Sequence, residues 1–103
     1  MVSQLRIYTI NRGMMDSWLR LFEEKIKPIH KKLGMPVECA WVNADRTEFI
    51  WVRSFASAEG IPAKEAEYSA SPERKALGNL PQSHVAKIEV RVIQPVLAPS
   101  RVA

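Results

Sequence analysis

Along residues 5–10 (LRIYTI), aliphatic side chains alternate with Arg6 and Tyr8, the two-residue period of a strand. Asn11-Arg12-Gly13 supplies a turn. The period then changes. Met15, Trp18, Leu19, Phe22, Ile26, Ile29 and Leu33 recur at spacings of three and four, which predicts one apolar helix face. Lys31 and Lys32 suit the negative end of that helix, and Gly34 is a stop signal. Pro28 lacks an N–H and predicts a kink or broken turn across residues 24–27. Strands are predicted over Pro36–Asn43 and Thr47–Phe55, joined by the hairpin-length Ala44-Asp45-Arg46. Ser57 is a candidate N-cap and Pro62 can open a helix. Ser71-Pro72-Glu73 reads as a break followed by a short second helix through Leu77. Alternation returns from His84 to Val96, and residues 97–103 read as a frayed tail.

The order β-α-β-β-α-β folds most simply as α+β, a ferredoxin-like plait of four antiparallel strands with the helices on one face. One domain over residues 1–96 accounts for the chain. Alternation sorts the strand residues into two sets. Leu5, Ile7, Ala40, Val42, Ile50, Val52, Ile88, Val90 and Val92 form an aliphatic set, expected under the helices. The other set holds Arg6, Tyr8, Ile10, Val37, Cys39, Trp41, Phe49, Trp51, Arg53, Phe55, Val85, Lys87, Glu89, Arg91 and Ile93. That face is too aromatic for water and too charged for a dry core. It predicts a homodimer with two sheets face to face. Arg6, Tyr8, Trp41, Phe49, Trp51, Arg53, Glu89 and Arg91 would then line a small-molecule pocket between the sheets, or serve only as interface.

Composition changes this picture little. The 103 residues carry a net charge of +4, spread along the chain rather than gathered in a stripe, which argues against nucleic acid as a partner. No apolar run is long enough to span a membrane, and no leader pattern precedes the first strand, so a cytoplasmic protein is expected. Cys39 is the only cysteine; it can form no disulfide within the chain and reads as a small packed residue. His30 reads as a partly exposed helix residue and His84 as the opening of the last strand. Neither has a carboxylate at ligand spacing, so no metal is expected. If chemistry occurs, the catalytic candidates are Tyr8, Arg53 and His84. The tyrosine or histidine would move a proton, and the arginine would hold an enolate or phenolate oxygen. Trp41 and Trp51 would stack on a flat substrate.

The opening LRIYTINRGMMDSWLRLFEEKIKPIHKKLG resembles the start of a NIPSNAP domain. Leu5, Arg6, Tyr8, Thr9, Gly13, Trp18, Leu21, Phe22 and Glu23 match its strand, turn and helix. Phe49–Phe55 resembles its third strand. Ser71-Pro72-Glu73 resembles its Asp-Pro-Glu-Trp segment, with Arg74 in place of the tryptophan. The likeness runs over about residues 4–95 and implies a dimeric α+β barrel. That superfamily also holds cofactor-free quinol-type monooxygenases, haem-degrading enzymes and many bacterial members without an assigned activity. Haem use there depends on a suitably placed histidine; neither histidine here matches such a motif, so no cofactor is expected. The reading is therefore an uncharacterised family member that binds a small aromatic or hydrophobic molecule. One alternative is a quinol-type monooxygenase. The other is an RNA-recognition module, which shares the element order and would stack bases on Tyr8, Phe49 and Trp51. Against it, Thr47-Glu48 stands where that motif has a basic residue and glycine.

Overall fold

A computed structural model describes residues 1–97. Its strands are β1 (Val2–Ile10), β2 (Val37–Val42), β3 (Glu48–Phe55) and β4 (Val85–Ile93). They form one antiparallel sheet in the order β2-β3-β1-β4, the ferredoxin-like plait expected. The first crossover carries α1 (Met15–Leu21), a π-helical turn (Phe22–Ile26) and α2 (Lys27–Lys32). The second carries α3 (Ile61–Ala70), α4 (Pro72–Ala76) and α5 (Leu80–Ser83), one helix more than the pattern predicts. β4 ends before Pro95, which has no N–H to donate to a ladder. The expected tail at 97–103 lies almost wholly outside the described residues.

At Pro28 the helix absorbs the fault as a π turn instead of breaking. The Lys27 N–H reaches back five residues to the Phe22 carbonyl. Helix hydrogen bonding resumes beyond the proline, which sits in the first turn of α2, where a missing N–H costs least. A π turn inserts one residue and so rotates everything after it. The buried row is therefore Met15, Trp18, Leu21, Phe22, Ile26, Ile29 and His30. His30, expected to be partly exposed, is 1% exposed.

On the two central strands, β1 and β3, the sheet faces are the reverse of the expectation. Tyr8, Ile10, Phe49 and Trp51 pack with Met15, Trp18, Leu21, Phe22 and Ile26 as the main core. The aromatic and arginine-bearing face is therefore the one under the helices. Leu5, Ile7, Ile50 and Val52 share the opposite, uncovered face: Leu5 pairs Val52 and Ile7 pairs Ile50. The physical reason is the size of the rings. Each aromatic side chain carries about 150–250 Å² of surface, and the helix face opposite is itself aromatic. Rings thus meet rings: Trp18 lies 5.6 Å from Tyr8 and 5.7 Å from Phe49, and Phe22 lies 4.7 Å from Phe49.

On the edge strands most side chains keep the sides expected of them, and only Val37 and Val85 cross to the helix side, opposite Arg53 and Ile10. A bulge between Val37 and Cys39 places Ala40 opposite Trp51 and Val42 opposite Phe49, on the helix side, and Trp41 opposite Ile50 on the open side. Ile88, Val90 and Val92 pair Tyr8, Arg6 and Gln4 on the helix side. Glu89 and Arg91 pair Ile7 and Leu5 on the open side. Phe49→Ala empties the centre of the aromatic cluster; a loss of about 3–5 kcal/mol in urea unfolding is the expected result.

Candidate functional site

A cavity of ≈ 510 Å³ opens between the helices and the sheet of the single chain. Its floor is Arg6, Tyr8, Trp51 and Arg53 from β1 and β3, adjacent strands whose alternation sends every second side chain inward. Trp18, Ile26 and His30 wall one side; Glu65, Tyr68 and Arg74 wall another. Val85 and Ile88 of β4 form the lip.

Arg53 is the centre of the polar network and is 4% exposed. Its Nε donates to Gln4 Oε1 at 2.9 Å and its Nη2 to Glu65 Oε2 at 2.9 Å. Its Nη1 lies 2.9 Å from His30 Nε2. The guanidinium also sits 5.5 Å from the ring centres of Trp51 and Phe55, where the aromatic faces attract a cation. A buried cation needs such complete partnering. Burial, with Arg6 nearby, still lowers its pKa from the usual arginine value.

His30 has one consistent protonation. Nδ1 lies 2.9 Å from the Ile26 carbonyl, which can only accept, so Nδ1 carries the hydrogen. Nε2 then accepts from Arg53. Burial, opposed by the Ile26 hydrogen bond and reinforced by the two arginines, lowers the imidazole to about 4. The ring is neutral at physiological pH, and the hydrogen-bond geometry agrees.

Arg6 is engaged more loosely. Nε donates to Tyr8 Oη at 2.9 Å and Nη1 to Gln4 Oε1 at 3.0 Å, with Glu65 at 3.7 Å. Because Tyr8 Oη accepts there, its own hydrogen stays available to a ligand. Tyr68 closes over His30 with ring centres 4.5 Å apart, and burial raises its phenol pKa.

Of the residues singled out from sequence, Arg6, Tyr8, Trp51 and Arg53 come together on the cavity floor. Phe49 is 2% exposed and packs in the core beneath it. Trp41, 54% exposed, lies on the open sheet face, as do Glu89 and Arg91, which the register separates from the cavity. His84 does not line the cavity. Its Nε2 lies 2.7 Å from Ser17 Oγ and its Nδ1 2.8 Å from the Leu80 carbonyl, so it ties α5 to α1. Cys39 sits partly buried on the open face, its thiol pKa raised by burial and by Glu38. The pattern missed Gln4, His30, Glu65 and Tyr68. Gln4 could have been found, because it shares the inward period of Arg6 and Tyr8 on β1. Among the described residues no three His, Cys, Asp or Glu are grouped to hold a metal, and no helix is long and apolar enough to cross a membrane.

The NIPSNAP family model matches residues 3–99. The fold is similar to that of an uncharacterized NIPSNAP domain protein from Burkholderia xenovorans, at 16% identity and TM-score 0.84, covering 97% of this chain and 100% of that one. A NIPSNAP family protein from Agrobacterium tumefaciens is 18% identical with TM-score 0.84, covering 92% of each chain. A putative antibiotic biosynthesis monooxygenase from Bacteriodes thetaiotaomicron is 14% identical with TM-score 0.71, covering 99% of this chain and 95% of that one. At such identities the likeness is one of fold. No curated protein matches the chain.

The His30 pKa, about 4 folded against 6.5 in the unfolded chain, fixes the sign of a pH effect. Between those values the unfolded chain binds the extra proton, so the contribution of neutral His30 is complete above pH 6.5 and is lost as pH falls towards 4. About 3 kcal/mol is at stake. Urea unfolding at stepped pH should show a steeper acid loss for the native protein than for His30→Gln.

Proposed function

The chain belongs to the NIPSNAP family, and from that membership and the cavity we propose that it binds a small aromatic or hydrophobic molecule between its helices and its sheet. The supporting observation is the cavity itself: aromatic walls from Tyr8, Trp18 and Trp51, with a few convergent polar groups. This moves the pocket from between two sheets, as the sequence suggests, to within one protomer.

The open sheet face then takes a different role. Leu5, Ile7, Ile50 and Val52 lie there between the exposed Trp41 and the ion-paired Glu89 and Arg91. They form an aliphatic strip with an indole on one side and charges on the other, and a second copy of the chain covers it. This homodimer brings sheet to sheet through the aliphatic face, while each cavity stays on the far side of its own sheet.

A second reading, a cofactor-free quinol-type monooxygenase, draws on the pairing of Arg6 with Tyr8 inside the cavity. Tyr8 would move the proton and Arg6 would hold the developing phenolate. Dioxygen would be the oxidant, one oxygen atom entering the ring and the other leaving as water.

Light scattering of the purified protein should give twice the chain mass, and Ile50→Asp should give the monomer with unchanged circular dichroism; a native monomer at micromolar concentration sinks the dimer. Flat aromatic compounds should raise the melting temperature, as any ligand selective for the folded state must. Ser69→Trp, at the exposed rim, should abolish that shift. For the second reading, quinol-dependent oxygen uptake should fall by about a hundredfold or more in Tyr8→Phe; no uptake with any quinol rejects it.

A further inference from the structure

Donors crowd the cavity wall and acceptors are scarce. Arg6, Arg53 and Arg74 line it with Glu65 as the one carboxylate, an excess of two positive charges. His30, neutral and already bonded at both nitrogens, supplies no compensation. Lys87 borders the lip, but its amine lies 3.9 Å from Glu89 on the open face and adds no charge to the cavity. Two more donors stand without an acceptor: the indole N–H groups of Trp18 and Trp51 are buried and unpartnered among the described residues, and both tryptophans line the cavity. Buried donors left unpaired are uncommon and costly.

The arginines differ in what they have left to give. Arg53 spends all three of its nitrogens on Gln4, His30 and Glu65. Arg6 spends Nε and Nη1, leaving Nη2 without a hydrogen-bond partner among the described residues. Arg74 uses Nη1 on the Gly78 carbonyl while its guanidinium lies 5.9 Å from the Tyr68 ring. A guanidinium with a free edge is suited to a planar, bidentate acceptor.

We propose that the cavity selects an organic anion, a flat aromatic body bearing a carboxylate or enolate, with Arg6 and Arg74 gripping the charged end and Trp18 and Trp51 holding the ring. Tyr8 adds the phenolic hydrogen left free by its bond from Arg6. The inference rests on the binding reading above and narrows it to a charge type. Arg53 is a positioning residue here: it orders Gln4, His30 and Glu65, and by sharing Glu65 with Arg6, which lies 3.7 Å from it, holds Arg6 beside the opening with Nη2 still to give.

A matched pair of probes separates the two statements. 2-Naphthoate and 2-naphthamide share a ring and differ in charge. Calorimetric titration of the full-length protein should show naphthoate binding about tenfold or more tighter than the amide, as expected for a charge-assisted contact. Arg6→Gln and Arg74→Gln, each checked for native circular dichroism, should narrow that gap by weakening naphthoate far more than the amide. Equal affinities, a preference for the amide, or a gap unaltered in both variants overturns the anion selection and leaves the binding reading standing. Failure of both probes to bind at millimolar concentration removes the binding reading and the selection with it.

Discussion

The buried guanidinium of Arg53 constrains the rest of the structure. A cation at that depth is tolerated only when fully hydrogen-bonded, and its partners come from three separate elements: Gln4 on β1, His30 on α2 and Glu65 on α3. Both crossovers are therefore anchored to the central strands by one side chain. Removing any partner would leave charge or hydrogen-bonding capacity stranded in a poorly hydrated site. The aromatic core around Trp18 supplies most of the burial, and the Arg53 network sets how the two helical layers sit on the sheet.

This network also accounts for the inversion of the two central strands. Arginines on a strand suggest an outward face, and an aliphatic row suggests an inward one. Here the helices bring their own rings and their own polar partners, so the aromatic, arginine-bearing face gains more by facing them. The aliphatic face is left open and the cavity forms on the inner side, where Arg6, Tyr8, Trp51 and Arg53 converge.

Alternation and period carried the element order, the plait and the pairing of Arg6 and Tyr8 with Trp51 and Arg53. They did not carry which face meets the helices, because alternation is symmetric between the two sides of a strand. Nor did they show the bulge between Val37 and Cys39, which turns Trp41 outward while keeping Val37 and Val42 on the core. His30 was hidden for a related reason. It follows Phe22 and Ile26 at steps of four, at the edge of the predicted apolar stripe, and the π turn carries it from that edge into the buried row. Glu65 and Tyr68 lie on a weakly patterned helix, and nothing local marks them as reaching Arg53 or His30.

The π turn links these observations to the history of the chain. A π turn is an α-helix carrying one residue too many, and one residue corresponds to about 100° of helix rotation. Deleting a single codon between Phe22 and Ile26 would remove the extra residue, restore a regular helix and leave His30 in phase with Arg53. Winding the same residues as an unbroken α-helix would instead carry His30 about 100° round. The polar wall of the cavity thus depends on how this turn is wound as much as on residue identity. A helix one residue shorter would present the same polar wall with no π turn at all.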